Sequence, residues 1–266
     1  MPGSVRIAAV GDLHCSRTST GAFQALFARV AESADVLAMC GDLTDHGQAE
    51  EARVLAKELQ ALKIPKLAVL GNHDFESETA AEVVEILSAS GVTILDGTAL
   101  EILGVGIAGA KGFAGGFGER AVQGWGEEPI KTFVRSAVEE TLKLESALAR
   151  LRTMGRVVIM HYAPVRDTCD GEPFEIYPFL GSSRLEEPIN RYAASVVFHG
   201  HAHSGRPEGK TSAGVPVYKV ALPLLQRLQH AVEGHEEVLQ LVTLAERPDV
   251  AQPALADVLD VTGDGE

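Results

Sequence analysis

Short apolar runs alternate with amphipathic segments along the first third of the chain. The runs Val5–Val10, Val36–Cys40 and Leu67–Leu70 are continuous enough to form strands buried on both faces. Between them, apolar residues recur at three- and four-residue spacing, which predicts helices. The helical positions are Phe23, Leu26, Phe27 and Val30, then Ala52, Leu55, Ala56 and Leu59, then Val83, Ile86 and Leu87. The order β-α-β-α-β-α predicts a largely parallel sheet covered by helices.

After Gly91 the apolar runs become shorter and stand closer together. This change predicts a second, mixed sheet. Its strands are expected at Val92–Leu95, Leu100–Leu103 and Val105–Ala108, with closing strands at Val215–Val220 and Glu237–Thr243. One long helix is predicted from Ile130 to Thr153, with Gly155 as its stop signal.

Five apolar runs end in side chains that can bind a metal ion. The polar segments are Gly11-Asp12-Leu13-His14, Gly41-Asp42-Leu43-Thr44-Asp45, Gly71-Asn72-His73-Asp74, His161 after Val157–Met160, and His199-Gly200-His201-Ala202-His203 after Val196–Phe198. In sheets of parallel strands, ligands bind beyond the carboxyl ends of the strands. We therefore expect the five segments to meet at one site.

The composition is that of a globular protein with an excess of acidic residues. At 266 residues, with 45% hydrophobic residues and a mean hydropathy of +0.07, the chain can bury a sizeable core. No apolar stretch reaches the roughly 18 residues of a membrane span. The net charge of −14 argues against nucleic acid as a partner, because affinity for its backbone needs a basic face. Bound metal ions could still attract a small phosphorylated substrate.

Cysteine usage and the N-terminal segment indicate the cellular compartment. Cys15, Cys40 and Cys169 form no CxxC pair, as is typical of proteins in a reducing compartment. The segment Met1–Arg6 lacks the charged and apolar regions of a secretory signal. Together these features predict a cytoplasmic protein without disulfides.

Two long loops and the C-terminal segment carry weaker signals. The glycine-rich loop 109–126 contains Lys111 and Arg120, which are candidate substrate contacts, although isolated basic residues in loops are mostly solvated. Loop 163–183 contains several aromatic residues, which either shape the substrate site or only pack the loop down. We expect residues 1–246 to form a single domain and the acidic residues 247–266 to form a weakly ordered tail.

The polar residues at the strand ends suit a site for two metal ions. Divalent ions accept carboxylate oxygens and imidazole nitrogens, and two ions about 3.5–4 Å apart need a shared carboxylate. Asp12 and His14 can reach one ion from a single turn, while Asp42 on the neighbouring strand can bridge. Asn72, His161, His201 and His203 complete two ligand sets.

These segments resemble the motifs of the calcineurin-like metallophosphoesterase superfamily. The matching motifs, in the family's order, are DxH at 12–14, GD at 41–42, GNHD at 71–74, His161, and GHxH at 200–203. The resemblance implies an α/β fold, a four-layer α-β-β-α sandwich of two mixed sheets flanked by helices. It also implies two divalent metal ions as cofactors, for which Mn, Fe, Zn and Mg are all compatible with the ligands.

The resemblance implies a role for each matched residue. Asp12, His14 and His203 would hold the first ion, Asp42 would bridge, and Asn72, His161 and His201 would hold the second. His73 would be the general acid that protonates the leaving oxygen, and Asp74 would set its orientation. A hydroxide bridging the two ions would attack the phosphorus, because two cations lower the pKa of water and neutralise the phosphoryl oxygens.

The second motif separates branches of the superfamily. The segment Gly41-Asp42-Leu43-Thr44-Asp45-His46-Gly47 departs from the GDxVDRG of protein Ser/Thr phosphatases. It resembles the GDLTDxG of the cyclic-nucleotide phosphodiesterase-like (class III) branch, and His46 is a candidate substrate contact. The predicted function is hydrolysis of a phosphomonoester or phosphodiester, with nucleotides and cyclic nucleotides among the candidates. The alternative is a noncatalytic scaffold of the same fold that binds proteins.

Overall fold

The computed structural model describes residues 4–231 and 240–245, which form two β-sheets and the helices packed on them. The strands are β1 (Ser4–Val10), β2 (Val36–Cys40), β3 (Lys66–Val69), β4 (Val92–Ile94), β5 (Thr98–Ile102), β6 (Val105–Gly109), β7 (Arg156–Ile159), β8 (Val196–His199), β9 (Glu208–Lys210), β10 (Pro216–Lys219) and β11 (Gln240–Ala245). The α-helices are α1 (Gln24–Ser33), α2 (Ala49–Leu59), α3 (Ala80–Ala89), α4 (Glu128–Arg150), α5 (Tyr177–Leu180), α6 (Glu186–Arg191) and α7 (Leu222–Ala231). Short 3-10 helices lie at His73–Phe75, Gly118–Arg120, Asp167–Cys169, Phe174–Ile176 and Ser183–Leu185. The predicted tail, residues 247–266, lies outside the described residues.

Both sheets contain parallel and antiparallel neighbours. The first sheet has the strand order β11-β1-β2-β3-β4, in which only β11 is antiparallel to its neighbour. The second has the order β5-β6-β7-β8-β10-β9, with antiparallel pairs at its two edges. The carboxyl ends of β1, β2 and β3 therefore lie at one edge of the first sheet, as the sequence predicts.

The alternation of side chains along each strand produces four layers. On β1, Ile7 and Ala9 face the second sheet, where they pack in one core with Phe198 and other residues of β6, β7 and β8. The intervening Ala8 and Val10 pack in a different core against α1, α2 and α3. A third core joins the outer face of the second sheet to α4 and α6. The predicted α-β-β-α sandwich of two mixed sheets is confirmed.

Two predicted strands belong to the other sheet. The segment Val92–Leu95 was expected in the second sheet, but Val92 pairs with Lys66 in a parallel extension of the first. Because α3 lies between β3 and β4, this connection repeats the β-α-β pattern of the preceding strands. The segment Glu237–Thr243 was also expected in the second sheet, whereas β11 pairs antiparallel with β1 at the edge of the first. The amino-acid composition of a strand does not by itself determine which sheet the strand joins or which strand it pairs with.

Helix α4 ends at Arg150, before the predicted limit at Thr153. Leu151 takes an extended conformation with φ −72° and ψ 135°, and its side chain is buried in the outer core with Leu148. The next two amide groups donate hydrogen bonds to the carboxylate of Glu101 on β5. This side chain on another element provides the stop that the sequence pattern assigns to Gly155.

The turn of the hairpin between β5 and β6 is a position where a substitution is expected to stabilise the protein. Its two-residue turn, Leu103-Gly104, has φ of 50° and 82°, and Leu103 is exposed. Asparagine tolerates positive φ far better than leucine, and Asn-Gly is the preferred pair for such turns. Leu103→Asn is expected to raise the free energy of unfolding by about 1 kcal/mol, measured by urea denaturation. Leu142→Asn, an exposed leucine inside α4, is the control and should not stabilise.

Three further predictions concern thiols, domains and membranes. Cys15, Cys40 and Cys169 are all free and buried. A single domain over residues 1–246 stays a prediction. Within residues 4–231 and 240–245, every helix is too short or too polar to form a transmembrane span.

Candidate metal centre

The carboxyl ends of strands from both sheets converge on one site. The amide of Asp12 donates to the carbonyl of Gly41 at 2.9 Å, which joins the turns that follow β1 and β2. From the second sheet, the ring of His161 lies with its Nδ1 3.0 Å from the Cys40 carbonyl oxygen. The amide of His201 reaches both carboxylate oxygens of Asp12, at 2.9 and 3.0 Å. All seven predicted metal ligands lie in this region.

The first ligand group contains Asp12, His14 and His203. One potential ligand atom from each of these side chains lies within 4.8 Å of the other two. The Nε2 atom of His203 is 3.0 Å from Asp12 Oδ1 and 3.4 Å from His14 Nε2. This grouping matches the set predicted for the first ion.

The second ligand group contains Asp42, His161 and His201, again with ligand atoms within 4.8 Å of one another. Asn72 extends it, because its Oδ1 lies 2.9 Å from His161 Nε2. Asp42 lies between the groups: its Oδ1 is 3.4 Å from His161 Nε2, and its Oδ2 is 3.8 Å from His14 Nε2. The carboxylate predicted to bridge thus presents one oxygen to each group.

The donor set fits divalent cations of borderline hardness. Two ligands about 2.0–2.1 Å from a tetrahedral zinc stand about 3.3 Å apart, close to several separations in both groups. Asp12 and Asp42 are each only 1% exposed, and two buried carboxylates need nearby positive charge. Protonated His203 could supply part of it, but its Nε2 atom faces that of His14 at 3.4 Å, an arrangement that a shared cation would stabilise.

Backbone strain is concentrated at the predicted ligands. Four non-glycine residues among them have positive φ: Asp12 at 55°, His14 at 43°, Asp42 at 47° and His201 at 69°. Only three other non-glycine residues of the described chain have positive φ. Such conformations cost about 1 kcal/mol or more each and cluster at functional sites. These four residues thus keep strained backbone conformations, as is typical of residues whose side chains have a functional role.

Two motif glycines allow the backbone to approach the carboxylates. A Cβ atom on Gly71 would lie 2.1 Å from Asp42 Oδ1, and one on Gly200 would lie 2.3 Å from Asp12 Oδ2. Both separations are far below van der Waals contact. Any side chain at these positions would displace the carboxylates, which explains why the third and fifth motifs contain glycine.

Burial and neighbouring charge affect the ionisable groups in opposite ways. Burial raises the pKa of Asp12, but the hydrogen bond with His203 and the nearby histidines reverse the effect and lower it. The same hydrogen bond raises the pKa of His203. Burial lowers the pKa of His14 and brings that of His201 to about 3. The last two rings are therefore neutral near pH 7, the form in which imidazole binds a metal.

His73 lies beside the first ligand group. Its ring is 4.6 Å from the ring of His14 in an edge-on arrangement. Its Nδ1 is 2.7 Å from the carbonyl oxygen of Asp45 and 3.3 Å from Glu76 Oε1. A carbonyl only accepts hydrogen bonds, so Nδ1 carries the hydrogen and Nε2 is left to exchange protons.

The hydrogen bonds of Asp74 do not include the bond to His73 that its predicted role would need. Its carboxylate is fully buried and accepts hydrogen bonds from the amides of Gly71, Leu43 and Thr44 and from the Thr44 hydroxyl. It makes no hydrogen bond to the His73 ring, whose Nδ1 atom instead lies near the Asp45 carbonyl oxygen and Glu76. Amide groups of two loops would lack partners without this acceptor. Asp74 thus organises the backbone around His73 instead of orienting its ring.

The three candidate substrate contacts occupy different positions. Lys111 is half-buried, its carbonyl accepts the His161 amide at 3.0 Å, and its Nζ lies 4.9 Å from the Phe113 ring and 5.1 Å from that of Tyr162. His46 lies at the rim, with Nδ1 2.9 Å from Glu76 Oε2. Arg120 is exposed at the end of its 3-10 helix, and among the described residues it makes no hydrogen bond or ion pair with a predicted ligand.

Two side chains of the site, those of Tyr162 and Glu76, were not predicted from the sequence. The ring of Tyr162 lies 4.3 Å from that of His201 and 5.4 Å from that of His161. Glu76 contacts both His46 and His73. Their proximity in sequence to His161 and to the third motif was the available signal.

A two-sheet sandwich with carboxylates and imidazoles at its converging strand ends is typical of metal-dependent hydrolases. The family model of the calcineurin-like phosphoesterases matches residues 5–205. The chain belongs to the calcineurin-like phosphoesterase family and is a metal-dependent phosphoesterase. No curated protein matches the sequence.

One solved structure supports the fold. The phosphopantetheinyl hydrolase from Mycobacterium tuberculosis is similar to the chain with a TM-score of 0.62 and 19% identity, over 95% of this chain and 100% of that one. A putative 5'-nucleotidase from Staphylococcus aureus has a TM-score of 0.49 and 12% identity, over 91% of this chain and 51% of that one. At 19% identity the likeness to the phosphopantetheinyl hydrolase concerns the fold alone.

Proposed function

We propose that the chain hydrolyses small phosphomonoesters or phosphodiesters at a two-metal site. The observation that carries this proposal is the position of Asp42, whose two oxygens face different ligand groups. Asp12, His14 and His203 would hold one ion, and Asn72, His161 and His201 the other. Divalent ions bound there would supply a water molecule acidic enough to react near neutral pH and would offset phosphoryl charge.

The remaining residues of the site orient the substrate and move a proton. The Nδ1–H of His73 would donate to the Asp45 carbonyl, which fixes the ring and leaves Nε2 free to exchange a proton with the substrate. In its protonated form His73 would donate this proton to the leaving oxygen. Asp74 holds the backbone of the preceding turn, so the imidazole keeps its position during the reaction.

Charge and motif features favour some substrate classes over others. The net charge of −14 disfavours nucleic acid, and the second motif favours the class III branch, so a nucleotide or cyclic nucleotide is a candidate. The structural neighbour named a phosphopantetheinyl hydrolase adds phosphopantetheine esters as a second candidate. Cytoplasmic location stays a prediction from the sequence.

Lys111 is proposed to contact an anionic group of the substrate. Burial among aromatic rings lowers the pKa of its amine, and in the described chain the amine forms no ion pair. An anionic substrate oxygen would supply the missing counter-charge and favour the protonated, hydrogen-bonding form of the amine. Lys111→Met is expected to raise KM by about tenfold, since a hydrogen bond to a charged group contributes about 1.5–3 kcal/mol. Arg120→Met is the matched control and should leave KM unchanged in steady-state assays. A KM change of equal size in both variants would contradict the assignment.

A substrate screen combined with metal analysis tests the function. The purified protein is dialysed against each candidate metal, its metal content is measured, and turnover is assayed on aryl phosphates, nucleotides, cyclic nucleotides and phosphopantetheine esters. We expect two ions per chain and turnover of at least one small ester. A protein that binds no metal and turns over no ester would refute the proposal and support the noncatalytic scaffold.

A further inference from the structure

Lys219 is a buried cation with no role in the chemistry proposed so far. It ends β10, the strand next to β8, and its side chain is only 1% exposed. Among the described residues, no carboxylate lies within ion-pair distance of its amine. A buried charge is costly unless hydrogen bonds replace the lost water, so its partners indicate what it does.

Its partners are backbone carbonyls of two different loops. The Nζ atom donates to the carbonyl oxygen of Thr168, at 2.6 Å, and to that of Ser204. Thr168 belongs to loop 163–183, whereas Ser204 directly follows the predicted ligand His203. One ammonium group therefore joins the ligand-bearing segment 200–206 to a loop that supplies no ligand.

Other contacts connect the same two loops. The amide of Ser204 donates to the carboxylate of Glu172, and the amide of Arg206 donates to the Asp170 carbonyl at 3.0 Å. A Cβ atom on Gly171 would lie 2.6 Å from the Cα atom of Gly205, so the two backbones are in close contact. Residues 204–206 are thus packed against residues 168–172 of loop 163–183.

His199, a second buried group, contacts the start of segment 200–206. His199 is fully buried, with Nε2 2.8 Å from the Thr168 hydroxyl and Nδ1 2.8 Å from the Gly200 carbonyl. Thr168 therefore contacts both His199 through its hydroxyl and Lys219 through its carbonyl. These contacts hold the start and the end of the segment that carries His201 and His203.

We infer that Lys219 is a positioning residue for the metal centre: it fixes segment 200–206 against loop 163–183 so that His201 and His203 present their nitrogens together. This inference rests on the proposed ligand roles of the two histidines. Groups that support metal ligands from behind change metal affinity by about 10- to 100-fold when they are removed. A purely structural lysine would change the melting temperature and leave metal affinity intact.

The test compares metal affinity in three variants of the full chain. Lys219→Met removes the donor and keeps the length of the side chain, and Lys210→Met, at an exposed lysine on the neighbouring β9, is the matched control. Mn²⁺ binding is measured by equilibrium titration, with melting temperatures recorded in chelator. We expect at least tenfold weaker binding of Mn²⁺ in Lys219→Met, unchanged binding in Lys210→Met, and recovery of kcat at saturating Mn²⁺.

Glu172→Ala keeps the inference testable if Lys219→Met does not fold. It removes the second side-chain bond to Ser204 from a half-buried position, and the same loss of affinity is expected, to a smaller extent. Wild-type affinity in the folded Lys219→Met variant, or in Glu172→Ala if only that variant folds, would overturn the inference. Failure of the wild-type protein to bind Mn²⁺ or any other candidate ion would instead overturn the proposed metal site.

Discussion

Asp42→Asn is expected to lower kcat/KM on the order of 10³-fold and to reduce the bound metal from two ions to one or none. Asparagine has nearly the same shape but carries no charge and offers only one oxygen, whereas Asp42 presents an oxygen to each ligand group. Removing one partner from a buried set of charges costs about 3–5 kcal/mol, and each 1.4 kcal/mol is a factor of ten. Metal analysis and steady-state kinetics measure the two effects.

The stability of Asp42→Asn in chelator provides the control. Without metal, the Asp42 carboxylate is a buried charge, which is costly, so its neutralisation should not lower the melting temperature. Glu82→Gln, at an exposed carboxylate of α3, should match the wild-type protein in every assay. Two ions and full activity in Asp42→Asn would show that Asp42 does not bridge.

His73→Gln is expected to keep both metal ions and to lose activity according to the leaving group. General acid catalysis contributes about 10²- to 10⁴-fold when the departing oxygen needs a proton. The loss should therefore be large for alkyl esters and small for nitrophenyl esters, whose phenolate departs without protonation. A plot of kcat/KM against the pKa of the leaving alcohol, for both proteins, measures this difference.

The metal content of His73→Gln separates the acid from a ligand. His73 also lies within 4.8 Å of His14 and Asp45 in a group that could hold an ion. If His73 were a ligand, the variant would lose metal and its activity would fall equally for all leaving groups. That result would assign His73 to the ligand set.

Much of the site could be predicted because its residues follow buried strands directly. The runs before Asp12 and Asp42 identify parallel strands, and parallel strands bring their carboxyl ends to one edge. The grouping of His203 with Asp12, and of His201 with Asp42, came from the family resemblance, and the geometry agrees with it. Spacing in the sequence does not distinguish these two histidines.

Contacts between distant loops could not be predicted. Asp74 accepts hydrogen bonds from the amides of Leu43 and Thr44, about thirty residues away. The sequence of a motif does not show which distant amide groups need an acceptor. Lys219 is a single lysine at the end of an apolar strand, and only the fold shows that its amine is buried. Strand β11 could be recognised as a strand, but its edge is decided by the pairing with β1.

Because ligands from both sheets meet at the site, metal binding would stabilise the folded protein. Under the proposed assignment, each ion takes ligands from both layers: Asp12 and His14 with His203, and Asp42 and Asn72 with His161 and His201. Neither set exists unless the two layers are assembled, so the unfolded chain has little affinity for the ions. Such binding would raise the free energy of unfolding by about 2.7 kcal/mol for each ion present at a hundred times its dissociation constant. The fraction of the protein that stays folded would then depend on the concentration of free metal ions around it.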